Sequence, residues 1–236
     1  MKKFFFVKNY FEYIQRELQK KGQNALFFGG RKALVFMKKK YDFVFNELKK
    51  QMTDYKKLNS ENKSVVEEMF FLLNEGDFSF LRAREQGHFT ASAWIFDPKT
   101  HEVLLTHHKK LDRWLQLGGH ADGEFDLRNV ALNEASEESG IPKDQLKLID
   151  FIFDMDIHSI PEFKGVKAHL HYDVRYFIIP MTKEIKISDE SNDLAWIPLG
   201  KINQYTQEAS VLRMVQKTQH LLNQLLDEQS FFSPSA

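Results

Sequence analysis

Cysteine is absent from the 236 residues, which removes disulfides, thiolate metal ligands and cysteine nucleophiles together. The absence fits a reducing compartment, and a cytoplasmic location is expected. Long apolar runs are also missing: every hydrophobic stretch is interrupted before the roughly 18 residues that suggest a membrane span. The opening MKKFFFVKNYFEYIQRE pairs lysines with a phenylalanine run, but Lys8, Glu12 and Arg16 break it. No small-residue cleavage site follows, so it does not read as a signal peptide. Internal repeats and low-complexity tracts are lacking too. Net charge is zero, with 33 basic and 33 acidic residues, yet residues 1–60 hold 15 bases against 5 acids. A basic front segment suits nucleic acid, an acidic surface, a protein partner or the acidic remainder of its own chain.

What is present is ordinary globular material, 42% hydrophobic and 28% charged, enough for a core in one domain with an extension or in two small ones. Phe4, Val7, Phe11, Ile14 and Leu18 recur at helical spacing, and so do Leu34, Met37, Tyr41, Val44, Leu48 and Met52. Gly29-Gly30 lies between them, so residues 1–57 read as a basic helical hairpin. Such a hairpin cannot bury both faces alone, which points to packing on the rest of the chain or to a homodimer. The polar stretch 54–64 reads as a linker, and residues 62–228 as the main domain. Within it a helix near 65–74 precedes strands at 89–96, 103–106, 114–117, 146–153, 168–179 and 194–198. A final helix covers about 207–226, and residues 229–236 form a frayed tail. Without regular βαβ alternation, the mixture indicates an α+β fold.

One stretch organises the rest: Gly118 to Ile141, GGHADGEFDLRNVALNEASEESGI. A glycine pair enters a polar turn, and a helix follows with Glu134, Glu137 and Glu138 at i, i+3 and i+4. Their carboxylates share one helical edge, within about 5–6 Å of one another. Three like charges there require solvent, bases or a cation, and hard oxygen donors suit Mg2+ or Mn2+. The stretch resembles the Nudix box, G-x5-E-x7-R-E-U-x-E-E-x-G-U, with U aliphatic. With Gly119 as the first glycine, Phe125 occupies the position of the first Glu and Asn133 that of Arg. The two residues that pair in the family are replaced together, so neither leaves a stranded charge. Glu124 or Asp126 partly replaces the acid. The resemblance extends over about residues 62–200, where GHFTASAWIF and HLHYDVRYFI are similar to bacterial Nudix proteins with a GGH-type box.

The resemblance implies an α/β/α sandwich with a mixed sheet, here preceded by the helical hairpin. It makes Glu134, Glu137 and Glu138 the metal-binding set, with Glu134 ligating or positioning water. It places a further ligand or general base downstream, where Glu190 stands. Gly119 lets the backbone approach substrate or metal, while His120 either reaches phosphate or caps the turn. His169, His171, Asp173 and Arg175 share one face of a strand. His-x-His spacing occurs in metal sites, but no sequence-local third ligand accompanies it. The stronger reading is a cleft wall on which His171 or Arg175 faces anionic substrate. Arg82, Arg84 and His88 precede the first strand and are candidate phosphate contacts.

The function implied is Mg2+- or Mn2+-dependent hydrolysis of a diphosphate linkage in a nucleoside diphosphate joined to another moiety (NDP-X). Two other readings stay open. One is removal of diphosphate from an RNA 5′ end, motivated by the basic front segment. The other is a nucleotide-binding or regulatory module of this fold with reduced catalysis, motivated by Phe125 and Asn133.

Overall fold

The computed structural model describes residues 31–163, 165–189 and 191–231. The first arm of the expected hairpin, its Gly29-Gly30 turn and residues 232–236 lie outside the described residues. Four α-helices and seven strands follow in order: α1 (Arg31–Leu58), α2 (Lys63–Leu73), β1 (Gly87–Asp97), β2 (Glu102–His108), β3 (Arg113–Leu115), β4 (Leu117–His120), α3 (Leu127–Ser139), β5 (Leu146–Ile160), β6 (His169–Pro180), β7 (Ser191–Pro198) and α4 (Ala209–Phe231).

The strands form one mixed sheet in the order β3-β2-β1-β6-β5, with β4 also paired to β1 and β7 to β2. Among the described residues only β1 and β6 run parallel; the other pairs are antiparallel. Every residue of β1 is buried, because both faces of this central strand are covered. On one face Ala93 and Ile95 join Ala135 of α3, Ile141, Leu117 and Ile178. On the other, Trp94 and Phe96 meet Phe153, Phe177 and the α4 residues Val211, Met214 and Val215. The Trp94 indole donates to Thr218 at 2.9 Å, so this tryptophan is core rather than a stacking platform. The result is the expected α/β/α sandwich with a mixed sheet.

The front boundary differs from the sequence reading. Residues from Phe43 onward form one compact unit, and Leu48, Met52 and Tyr55 on α1 are buried. Gln51 Nε2 donates to Asp150 at 2.9 Å, and the Tyr55 hydroxyl to Asp154 at 3.3 Å. Asn62 Nδ2 donates to the Met155 carbonyl at 2.8 Å. These contacts cover the outer edge of β5, which would otherwise present unpaired backbone groups. The stretch 54–64 is therefore no linker: α1 continues to Leu58, and a 3-10 turn at Ser60–Asn62 leads into α2. Its lysines and serines face solvent while Tyr55 and Asn62 dock.

Candidate active site

The α3 helix starts at Asp126, whose carboxylate accepts from the Arg128 backbone NH at 3.2 Å, an N-cap. It ends at Gly140, whose φ of 72° is the left-handed conformation that favours glycine. Between these ends Ala131 and Ala135 are buried, which turns the acidic edge toward the β4 strand. A Cβ on Gly119 would lie 2.5 Å from the Glu134 carboxyl carbon. Only glycine lets the strand and that carboxylate sit together. A Cβ on Gly118 would instead lie 2.7 Å from the Ser92 Cα and 2.8 Å from the Ala91 carbonyl, both backbone.

The pair of glycines thus does two jobs that mutation separates. Gly119→Ala meets only the end of a flexible side chain, so the protein should fold with Glu134 displaced; a shift near 1 Å costs about 10²-fold in rate. Gly118→Ala must push strand backbone apart and should lower the melting temperature. Thermal melts and hydrolysis rates measured together check this; a Gly119→Ala protein working at the parental rate would remove Glu134 from the site.

The three acids differ in setting. Glu134 is half-buried, Glu137 is exposed and Glu138 is 7% exposed. The replaced brace has a physical substitute. The Phe125 side chain is buried and meets Phe80 edge-on, ring centroids 5.2 Å apart. Asn133 Oδ1 accepts from Lys143 Nζ. Glu124 accepts from the Asp126 backbone NH and from Asn129 Nδ2, at 3.0 and 3.1 Å. Arg128 bridges Asp126 and Asp150 at 2.8 and 3.1 Å. An apolar anchor and a rearranged set of ion pairs therefore hold the loop and helix.

A cleft of about 630 Å³ opens beside this edge, a normal size for a small-molecule site. Gly118, Gly119, His120, Glu134 and His171 line it, and so do Arg82, Lys110 and Lys167. Arg82 forks onto Asp122 with two bonds of 2.6 Å. Arg84 is bound to Glu75 at 2.7 and 2.8 Å. Arg175 is corrected: it does not face the cleft. It is 1% exposed and its guanidinium reaches Asp173, Asp154 and Asp156 at 2.7, 3.0 and 3.2 Å. Three carboxylates supply the counter-charge that a buried guanidinium requires. Glu190 lies outside the described residues.

Sequence reading missed how many histidines converge here. Strand register pairs His88 with His171, Thr90 with His120 and His158 with His171, and paired residues share a face of the sheet. Ring centroids of His120 and His171 are 4.8 Å apart, and those of His88 and His169 5.2 Å. Burial first, then the positive Arg82 and the other rings, pushes His120 down to about 4. Burial, then His120, His158 and the remaining rings, pushes His171 down to about 2. Burial lowers His88 as well. The signal available beforehand was the His-x-His pair alone.

The sequence model of the NUDIX domain matches residues 87–217, more than half of the chain. The chain belongs to the Nudix family. It is a pyrophosphohydrolase of that family, whose members generally use divalent metal ions. The acids of its α3 edge are hard oxygen donors, the type such an ion takes, and the carboxylate of one of them, Glu134, packs on the Gly119 backbone. Among solved structures, a C. elegans Ap4A hydrolase binary complex is 20% identical, with 57% of this chain and 97% of that one covered and a TM-score of 0.48. E. coli dihydroneopterin triphosphate pyrophosphohydrolase is 19% identical over 55% and 92%, TM-score 0.45. The NUDIX domain of Shewanella oneidensis NrtR, complexed with ADP ribose, is 16% identical over 60% and 92%, TM-score 0.43. None of the three transfers a substrate to this Nudix chain. No curated protein matches it. No described helix is long and apolar enough to cross a membrane.

Proposed function

We propose that this Nudix protein hydrolyses the diphosphate linkage of a nucleoside diphosphate joined to a second moiety, by attack of water on phosphorus. The observation that carries this reading is the Glu134 carboxylate, packed against the Gly119 backbone at the wall of the cleft. Glu134, Glu137 and Glu138 would hold Mg2+ or Mn2+. When bound there, the ion supplies positive charge against the diphosphate oxygens and makes water more acidic.

The chain's own residues supply the rest. Arg82, Lys110 and Lys167 place positive charge around the cleft, suited to the phosphates. Leu111, Leu115, Ile160 and Phe163 also line it, offering apolar surface to a base or to the second moiety. Glu134 is the residue assigned to position the attacking water. Glu190 is retained, from its place in the sequence, as the candidate for accepting the proton. The substituted brace at Phe125 and Asn133 favours an active enzyme over a lapsed one, because new contacts hold the loop and helix.

The test is a panel of nucleotide sugars, ADP-ribose and dinucleoside polyphosphates incubated with Mg2+ or Mn2+ and then with chelator. Metal-dependent release of two phosphate-containing products from at least one compound is expected. Calorimetric binding of a panel member with no turnover under either metal would replace the enzyme by a binding module.

A further inference from the structure

We propose that His88, His120, His169 and His171 form a site for one borderline divalent transition-metal ion of the zinc class, separate from the carboxylate edge of α3. Their candidate ligand atoms all lie within 4.8 Å of one another. Zinc–imidazole bonds of about 2.0–2.1 Å at tetrahedral angles separate the nitrogens by roughly 3.3 Å. The Nε2 atoms of His169 and His171 already stand at 3.3 Å. Rotation of the half-buried rings about their side-chain bonds brings the wider pairs in.

The tautomers point the same way. His169 Nδ1 lies 2.8 Å from the Lys167 carbonyl, and His88 Nδ1 lies 3.4 Å from the Arg84 carbonyl. A carbonyl only accepts, so each Nδ1 carries the proton and each Nε2 keeps its lone pair. A backbone acceptor behind the ring is the usual support of a metal-ligating histidine. A hydrogen bond from His171 to His169 would satisfy that pair without any ion. It leaves His88 Nε2 unexplained: His88 is 3% exposed, and this nitrogen has no hydrogen-bond partner among the described residues. Neutral imidazoles select zinc, nickel, cobalt or copper over Mg2+, which prefers oxygen. His158 faces Asp156, 3.3 Å from Nδ1 to Oδ2, and stays outside the set.

The experiment uses the full chain without a histidine tag, stripped with chelator and dialysed against Zn2+ in excess Mg2+. One zinc ion per chain is expected by metal analysis. His171→Gln and His88→Gln should each weaken zinc binding at least about tenfold, whereas Glu137→Gln should leave it unchanged. An X-ray absorption spectrum of the zinc-loaded parent should show a nitrogen shell with imidazole scattering, a readout that depends on no variant folding. Absence of stoichiometric zinc, an oxygen-only shell, parental affinity in folded His171→Gln, or loss of zinc in Glu137→Gln would each overturn the site. None of these readouts involves hydrolysis, so failure here leaves the reading of the carboxylate edge to its own test.

Discussion

Glu137→Gln and Glu138→Gln should each lower kcat by about 10²–10³-fold, the scale of losing one preorganised electrostatic group from an active site. Each substitution preserves size and removes one negative charge, so melting temperatures should stay close to the parent's. The two positions differ in a way that kinetics can read. Glu137 is exposed on the helix edge and Glu138 is 7% exposed, so water and added metal reach the first more readily. Raising Mg2+ or Mn2+ should recover part of the rate of Glu137→Gln and less of that of Glu138→Gln. Rates measured across a metal titration decide the matter. Two variants with parental kcat and parental metal dependence would place the chemistry away from α3. Slow variants that also melt early would mean only that the helix had been damaged. The Gly119→Ala protein gives an independent approach to the same edge, through the position of Glu134 rather than its charge.

The box was legible because everything it needs is local. Glu134, Glu137 and Glu138 share an edge by helical periodicity, and Asp126 and Gly140 bound the helix by their own capping chemistry. What escaped was polar structure assembled across strands. The sequence reading ended the fifth strand at Phe153, where polar alternation begins, yet β5 continues to Ile160. Asp154, Asp156 and His158 alternate as solvent-facing residues normally do, but Asp154 is fully buried. The cations that compensate it, Arg175, Arg213 and Lys217, come from β6 and α4. The same limit applies to the histidines. His88, His120 and His171 sit on three strands, and only the register, His88 beside His171 and His120 beside Thr90, brings them together. Arg175 is the converse case. Its strand face was read correctly, but a face does not tell the open end of a sheet from its covered middle.

Arg175→Met should cost about 3–5 kcal/mol of stability, because it leaves buried carboxylates without their shared cation. Asp173 keeps the Thr90 and Ser92 hydroxyls at 3.0 and 2.9 Å. Asp154 keeps Arg213 and Lys217 at 2.7 and 2.9 Å. Neither set replaces a guanidinium with three carboxylate partners. The pH dependence has a definite sign. Burial alone would raise Asp154 and Asp156. For Asp154 the bond from Arg213 and the charges of Arg175 and Lys217 outweigh burial; for Asp156 the bonds from His158 and Arg213 and the Arg175 charge do so, and both end below the ordinary carboxylate value. Groups depressed in this way contribute stability that is fully present above the unfolded value, about 4, and is lost as pH falls through the folded value. In Arg175→Met the folded values rise toward the unfolded one, so these carboxylates should lose less stability on acidification than in the parent, and the loss should be complete at a higher pH. Urea unfolding over a pH series measures both effects. As a control, Arg82→Met breaks the Arg82–Asp122 pair, whose side chains are 59% and 49% exposed, and should cost no more than about 1 kcal/mol. An Arg175→Met loss no larger than that of the control, with an acid-side loss as large as the parent's, would mean that α4 supplies enough positive charge to hold all three aspartates without the arginine.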